Sequence, residues 1–238
     1  MQTKASGELI LFKKSLHKLS LPTMYYNIHT HSEIESKEVW SLVNANPATI
    51  IPISSKHYSV GLHPWHLDAH TLEEAMAAVR QVAAMPYVWA IGECGLDRVC
   101  ETEWSLQQKA FQMHIALSNE LKKPLLIHAV RSHQEVLQWL RKYHHQQAVI
   151  FHGVNHKGID SLWSAGHFVS FGKALLNPKS EASKAIQHVA ADSYFLETDD
   201  DATVTIQEIY AVAATYRCQS IDQTIQEITQ NFRSIFIS

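Results

Sequence analysis

The feature that most constrains the fold is a series of eight short apolar segments, rich in β-branched and aromatic residues, that alternate with helical stretches. The segments lie at 24–28, 49–53, 58–62, 88–92, 125–128, 148–152, 168–171 and 194–197. Most are nearly continuous apolar runs, which is typical of strands buried on both faces of a parallel sheet. Helical stretches at 71–85, 103–121, 132–143 and 180–190 separate several of them. This alternation predicts an α/β fold, a TIM-type (β/α) barrel.

The length of the chain is sufficient for one barrel domain. It has 238 residues, of which 46% are hydrophobic, enough to bury a full core. We expect residues 24–238 to form the barrel and residues 1–23 to be an N-terminal extension of uncertain order, because regular patterning begins at Met24. The extension has three interpretations: an additional helix, a disordered arm, or sequence upstream of a natural start at Met24. The link between segments 49–53 and 58–62 is too short for an ordinary helix, so the barrel is expected to be distorted there.

The net charge and the cysteine content limit the possible binding partners and the cellular compartment. The net charge of -3 excludes the strongly basic footprint of proteins that grip duplex nucleic acid nonspecifically. Only three cysteines are present, which indicates no disulfide framework and fits the reducing cytoplasm. No apolar run approaches the roughly 20 residues needed to cross a bilayer. We expect a cytoplasmic protein with no membrane segment, and nothing in the sequence indicates an obligate protein partner.

Histidines and carboxylates recur where predicted strands end, which is where barrel active sites are built. The residues are His29, His31, Glu93, His128, His152 and Asp199. His29 and His31 are two apart, so in extended backbone both rings project to the same side. A single histidine of this kind is more often a hydrogen-bonded core residue than a ligand. Four histidines with a Glu and an Asp instead favour a site for two divalent cations that leaves positions open for water.

The motifs around these residues resemble those of the TatD-related metal-dependent hydrolases, within the amidohydrolase-like barrels. The resemblance covers roughly residues 24–237. It is carried by His29-Thr30-His31, Gly61-Leu62-His63-Pro64, Ile91-Gly92-Glu93-Cys94-Gly95-Leu96-Asp97, Lys123-Pro124-Leu125-Leu126-Ile127-His128, Phe151-His152-Gly153, Leu196-Glu197-Thr198-Asp199 and Asn231-Phe232-Arg233.

The resemblance implies a role for each of the six residues. His29 and His31 would bind one cation, His128 and His152 a second, and Glu93 would bridge the two. Asp199 would bind a metal and transfer protons, so that Glu93 and Asp199 are the expected catalytic residues. The metal is left open among Zn²⁺, Mg²⁺ and Mn²⁺, because availability can decide occupancy.

Departures from the family pattern concern substrate contacts. Asn27 stands where the family usually has Asp, Val130 where it has a basic residue, and Asp201 where it has Pro. Arg131 is the candidate replacement for the basic residue, and His63 is a second candidate for substrate binding. Trp65, Trp104 and Trp163 could line a pocket, although packing is the commoner role of such residues.

The resemblance implies a deoxyribonuclease that hydrolyses phosphodiesters with metal-activated water. Its expected substrate is a DNA end or single-stranded nucleic acid, since the net charge is acidic. One alternative is a metal-dependent amide, ester or lactone hydrolase, such as an aminoacyl-ester deacylase, which the missing basic residue at Val130 favours. Another is a noncatalytic metal-binding scaffold, against which the complete ligand set argues.

Overall fold

The computed structural model describes residues 24–32, 36–47, 49 and 55–237. Eight parallel strands pair in consecutive order, and a bridge between Thr30 and Asp199 joins the last strand to the first, so the sheet forms a nearly closed barrel. The strands are β1 (Tyr25–Thr30), β2 (Val39–Ala45), β3 (His57–Val60), β4 (Val88–Asp97), β5 (Leu125–Val130), β6 (Val149–Phe151), β7 (Phe168–Phe171) and β8 (Tyr194–Leu196). The predicted TIM-type barrel is confirmed.

Helices cover the barrel after β3. In the described part of the chain they are α1 (Leu72–Ala83), α2 (Trp104–Leu121), α3 (His133–Lys142), α4 (Asp160–Ser164), α5 (Glu181–Ala185), α6 (Ile206–Tyr216) and α7 (Ile221–Phe236). Among the described residues, no helix lies between β1 and β2 or between β2 and β3, so the barrel departs there from strict alternation. No helix in the described ranges is long and apolar enough to cross a membrane.

The second strand lies earlier in the chain than predicted. β2 spans Val39–Ala45 and pairs in register with β3 from Leu42 to Ala45. Its sequence mixes polar and apolar residues, so it lacks the continuous apolar run that identified the other strands. Of the predicted strand 49–53, only residue 49 is described and it lies in a turn; residues 50–53 lie outside the described residues, as do the predicted extension 1–23 and residue 238.

The predicted helix at 180–190 is also shorter than expected. Its α-helical part is Glu181–Ala185, and turns follow. The guanidinium of Arg217 donates to the carbonyl oxygens of Ile186 and Val189, at 3.0 and 2.9 Å. These carbonyls are therefore satisfied by the side chain of the residue that caps the C-terminus of α6 instead of by a continued helix.

Strands β1 and β8 meet at a seam held by buried polar groups. The Asn27 amide donates to Thr198 Oγ1 at 2.8 Å, and its oxygen accepts from the Thr198 backbone N–H at 3.1 Å. Beyond them, the Asp199 N–H donates to the carbonyl of His29 at 3.1 Å, and the His31 N–H donates to the carbonyl of Asp199 at 3.0 Å. Asn27, which replaces the family's Asp, thus supplies both a donor and an acceptor to barrel closure.

The C-terminal helix packs across the opposite end of the barrel, where the strands begin. The Asn231 amide donates to the carbonyls of Ala191 and Tyr194, both at 2.9 Å, which fixes α7 beside the start of β8. The Phe232 ring stacks on Tyr26 with ring centroids 4.3 Å apart and also contacts Trp40. The C-terminal motif at 231–233 therefore contributes to packing at the end of the barrel opposite to the candidate ligands.

His114 on α2 links the helical layer to the loop that follows β3. It is fully buried, its Nε2 accepts a hydrogen bond from the Leu62 N–H at 2.9 Å, and its Nδ1 donates to the Ala110 carbonyl at 2.7 Å. This pairing requires the neutral ring with the proton on Nδ1. Burial lowers the pKa of His114 to about 4.

We predict that His114 makes the protein less stable in mild acid. The unfolded chain takes up this proton near pH 6.5, whereas the folded chain does so near pH 4, so the free energy of unfolding falls as pH drops across that interval, by up to about 3 kcal/mol. Urea unfolding at several pH values should therefore show a shallower decline for His114→Gln than for the wild type. The exposed His70→Gln is the control and should follow the wild type; parallel wild-type and His114→Gln profiles would refute the prediction.

Candidate metal centre

The carboxylate of Glu93 lies at the centre of a ring of histidines at the carboxyl ends of the strands. Glu93 is buried in β4, with only 4% of its surface exposed. Each of its oxygens faces a different set of rings. Oε1 is 3.0 Å from His128 Nδ1, 2.8 Å from His152 Nε2 and 3.2 Å from His63 Nε2. Oε2 is 3.4 Å from His29 Nε2 and 3.5 Å from His31 Nε2.

Two glycines let β4 carry Glu93 into this position. Gly92 and Gly95 have φ values of 142° and 149°, which side-chain-bearing residues rarely adopt, and the peptide between Gly92 and Glu93 is cis. A Cβ at Gly92 would overlap the carbonyl oxygen of Leu126, and a Cβ at Gly95 would overlap that of His128. The glycines of the motif are therefore required for the close approach of β4 to β5.

Asp199 enters the same cluster from the β1–β8 seam. Its φ of 54° turns the chain just beyond β8. Asp199 Oδ1 lies 3.2 Å from His29 Nε2 and 3.5 Å from His31 Nε2, and 35% of its side chain is exposed. His29, near the end of β1, and His31, just after it, thus face both carboxylates, the buried Glu93 and the partly exposed Asp199.

The donor set fits divalent cations. Three groups have ligand atoms within 4.8 Å of one another: His29, His31 and Glu93; His29, His152 and Asp199; and His63, Glu93 and His128. Within the described part of the chain, neither ring nitrogen of the fully buried His29 makes a hydrogen bond. An unsatisfied buried imidazole facing two carboxylates at 3.2 and 3.4 Å is suited to ligate a cation, since imidazole and carboxylate are ordinary ligands of such ions.

The electrostatics of the cluster favour ionised carboxylates. Burial opposes ionisation of Glu93, but the surrounding histidines, His152 foremost, hold its pKa well below its usual range. Burial likewise opposes ionisation of Asp199, yet His29 beside it lowers the pKa of Asp199 to about 2. Burial disfavours the charged form of His29 and His152, but the neighbouring carboxylates raise the pKa of both rings. Protons and cations therefore compete for the same ligand atoms.

Three further residues contact the candidate ligands and were not among the predicted site residues. Asp97 Oδ2 is 3.1 Å from His128 Nε2, and buried Glu197 lies 3.4 Å from His152 Nδ1 while accepting from the Gly153 N–H at 2.8 Å. Asn44, on the strand that was not predicted, accepts from the Glu93 N–H at 3.1 Å and donates to Glu93 Oε2 at 3.4 Å. Asp97 and Glu197 lie within two of the motifs that carry the family resemblance. An acidic residue close to a candidate ligand in such a motif was the sequence signal that could have identified both.

A cavity of about 610 Å³ opens beside the cluster. Its lining includes five of the six predicted ligands, all but His29, together with the predicted substrate contact His63 and with Trp65. The structure does not bring Arg131 to this cavity: Arg131 is exposed and has a φ of 50°, so the chain turns away after β5. Among the described residues, no lysine or arginine lines the cavity.

Trp104 and Trp163, the other two tryptophans considered as pocket residues, pack elsewhere. The Arg98 guanidinium lies 4.3 Å from the centre of the Trp104 ring, and the Trp163 ring contacts His188. Neither lines the cavity, so packing is their role in this structure.

Three consecutive acidic residues, Asp199 to Asp201, follow β8. Lys173 partly balances their charge, because its Nζ is 3.5 Å from Asp201 Oδ2.

We predict that Glu197→Gln weakens metal binding without unfolding the barrel. The glutamine can still accept from the Gly153 N–H, but it removes the negative charge that orients His152. Loss of such an outer partner typically lowers metal affinity by about 10- to 100-fold. Competition with a chromophoric chelator measures the change in zinc affinity, and Glu181→Gln, on the surface of α5, is the matched control. Equal zinc affinity in all three proteins would contradict this role for Glu197.

Known proteins resemble this chain in sequence and in fold. The model of the family described as TatD related DNase matches residues 23–237. An uncharacterized metal-dependent hydrolase of Escherichia coli K12, YcfH, is 25% identical over 200 residues, which are 75% of this chain and 73% of that protein. A protein of Erwinia tasmaniensis named 3'-5' ssDNA/RNA exonuclease TatD is 28% identical over 173 residues, covering 70% of this chain and 64% of that protein.

A solved structure shares the fold. The crystal structure of YJJV, a TatD homolog from Escherichia coli K12, superposes with a TM-score of 0.78 at 18% identity and covers 92% of this chain and all of that one. The family match spans nearly the whole of the described barrel. The chain belongs to the TatD-related family of metal-dependent hydrolases.

Proposed function

We propose that this protein hydrolyses phosphodiester bonds at the ends of single-stranded nucleic acid, with two divalent cations bridged by Glu93. The observation that carries the proposal is the division of the Glu93 carboxylate. Its Oε2 faces the pair His29 and His31, at 3.4 and 3.5 Å, while Oε1 faces His128 and His152, at 3.0 and 2.8 Å. His63 Nε2 also lies 3.2 Å from Oε1. A carboxylate with a separate set of imidazoles at each oxygen is suited to bridging two ions.

The ligand assignment follows from these contacts. His29 and His31 would hold the first cation together with Asp199, whose Oδ1 faces both rings. His128 and His152 would hold the second, His128 through Nδ1 because its Nε2 faces Asp97. Imidazole-rich ligation suits Zn²⁺ or Mn²⁺, and Mg²⁺ stays a candidate because availability can decide occupancy.

The proposed mechanism assigns the proton transfers to Asp199. When bound, the cations would supply an acidified water and neutralise charge on the phosphate. Asp199 is ionised at neutral pH and partly exposed at the mouth, so it can accept the proton of the attacking water and deliver it to the leaving oxygen. His63 accepts from the Trp65 N–H through Nδ1 at 3.1 Å, which leaves the proton of the neutral ring on Nε2. That Nε2 points into the cluster and can donate to a substrate oxygen.

The choice of nucleic-acid ends rests on charge and on the relatives. The net charge is -3 and no described lysine or arginine lines the cavity, so an extended basic track for duplex DNA is missing from the described surface of the site. A short end that reaches the cations requires no such track. The name of the Erwinia tasmaniensis relative, a 3'-5' ssDNA/RNA exonuclease, supports the same substrate class.

A second candidate is hydrolysis of an amide, ester or lactone on the same centre. It is favoured by the same absence of lysine and arginine from the described cavity lining, because an uncharged substrate requires no counterion beyond the metals. Its chemistry would use the same water and the same proton acceptor, Asp199. The two candidates therefore differ in substrate and not in machinery.

We predict that metal-stripped protein shortens a single-stranded DNA oligonucleotide only when Mg²⁺, Mn²⁺ or Zn²⁺ is restored. Asp199→Asn should lower the initial rate by about 100-fold or more, because loss of a general base typically removes at least that factor. Gel electrophoresis of an end-labelled oligonucleotide measures both effects. Asp192→Asn, an exposed carboxylate outside the cavity, is the control and should keep the wild-type rate.

An intact oligonucleotide, although elemental analysis finds bound metal, would refute the nuclease proposal, and hydrolysis of ester or amide substrates under these conditions would then establish the second candidate. A wild-type rate in Asp199→Asn would retain the nuclease and refute the role of Asp199 in proton transfer. Bound metal with no hydrolysis of any of these substrates would favour a scaffold.

A further inference from the structure

Trp65 is a large apolar side chain that is exposed to solvent yet firmly held. It is 57% exposed, but its indole Nε1 donates to Asp97 Oδ2 at 2.6 Å, and Asp97 itself is almost completely buried. Its backbone N–H donates to His63 Nδ1 at 3.1 Å, at the start of the short 3₁₀ helix Pro64–His66. The ring is thus fixed by a side-chain bond and a backbone bond, so a ligand that contacts it need not order it first.

The position of this ring relative to the metal centre is equally specific. The Trp65 ring centroid lies 4.9 Å from that of His63 and 5.9 Å from that of His128, with interplanar angles of 86° and 80°. Nitrogens of these two histidines lie 3.2 and 3.0 Å from Glu93 Oε1. The indole therefore stands one side chain away from the proposed bridging carboxylate.

The lining of the cavity combines apolar and polar side chains. The apolar ones include Trp65, Leu62, Pro47, Ala75 and Ala78. The other large apolar side chains exposed in the described structure, Val99, Leu176, Ile221 and Ile237, do not line the cavity. Of these five exposed side chains in the described structure, Trp65 is therefore the one that lines the cavity, and an exposed apolar side chain at a binding cavity is suited to an apolar part of a ligand.

We infer that Trp65 is a stacking platform for the nucleobase adjacent to the scissile phosphodiester. This inference rests on the proposed function, and it extends it by assigning a base-binding subsite. A nucleotide combines a planar ring with an anionic group, which matches a fixed indole beside a cation centre. Stacking of a base on an aromatic side chain contributes about 1–3 kcal/mol and tolerates any base, because every base has a π face. The subsite therefore confers affinity for nucleotides without sequence preference.

Removal of the ring should act on binding and not on the chemical step. Trp65→Ala should raise KM for a single-stranded oligonucleotide about 10-fold and leave kcat near the wild-type value. Trp65→Phe keeps an aromatic face but cannot donate to Asp97, so it should recover most of the loss. Trp163→Ala, which removes a tryptophan outside the cavity, is the matched control and should keep the wild-type KM.

A second substrate separates stacking from an indirect effect through Asp97, which also faces His128. The oligonucleotide is remade with tetrahydrofuran residues, which lack bases, at its terminal positions. On this substrate Trp65→Ala and the wild type should have equal KM values. An equal loss on both substrates would overturn the inference, because Trp65 would then act by positioning Asp97 and His128. An unchanged KM on the natural oligonucleotide would overturn it as well.

A binding measurement keeps the inference separate from the nuclease proposal. Equilibrium dialysis of zinc-loaded protein compares thymidine 5'-monophosphate with deoxyribose 5-phosphate, which lacks the base. The wild type should bind the nucleotide about 10-fold more tightly, and Trp65→Ala should bind both alike. This result without any oligonucleotide cleavage would retain the base subsite and refute the nuclease. Cleavage with equal wild-type affinity for the two ligands would refute the subsite and retain the nuclease.

Discussion

A carboxylate buried at the mouth of the barrel is the constraint on which the rest of the centre depends. An unpaired buried carboxylate is destabilising by several kcal/mol, and Glu93 is balanced by five histidine rings, without a described lysine or arginine in the cavity. Imidazoles can balance it either by carrying protons or by sharing cations with it. The same contacts that stabilise the fold at this edge therefore place together side chains suited to binding metal ions.

Barrel closure brings the ligands together from distant parts of the chain. The seam between β1 and β8 places Asp199 against His29 and His31, 168 to 170 positions earlier in the numbering, through backbone bonds and the Asn27–Thr198 pair. Gly92 and Gly95 allow the close approach of β4 to β5. This approach places Glu93 between His128 and the residues at the seam. The contacts that close the seam, including those of Asn27, therefore also set the geometry of the candidate centre.

The barrel, and the meeting of the six candidate ligands at one end of it, were predictable from sequence because the carboxyl ends of parallel strands lie on one face of the fold. The six predicted ligands do meet around Glu93 and Asp199. β2 and Asn44 were missed because that strand has no continuous apolar run, and the partners of Asp97 and Glu197 depend on contacts across 31 and 45 positions. Arg131 stays a predicted substrate contact, although it does not line the described cavity. The local turn at positive φ that directs the chain there is not visible in an apolar pattern.

Diffraction from zinc-soaked crystals, recorded above and below the zinc absorption edge, tests the central claim most directly. The account predicts two anomalous peaks, each about 2.0–2.2 Å from one oxygen of Glu93, the first shared with His29 and His31 and the second with His128 and His152. No anomalous peak at Glu93, with its carboxylate still bonded directly to the histidines, would contradict it. In that case the cluster would be a proton-stabilised structural network and not a metal centre.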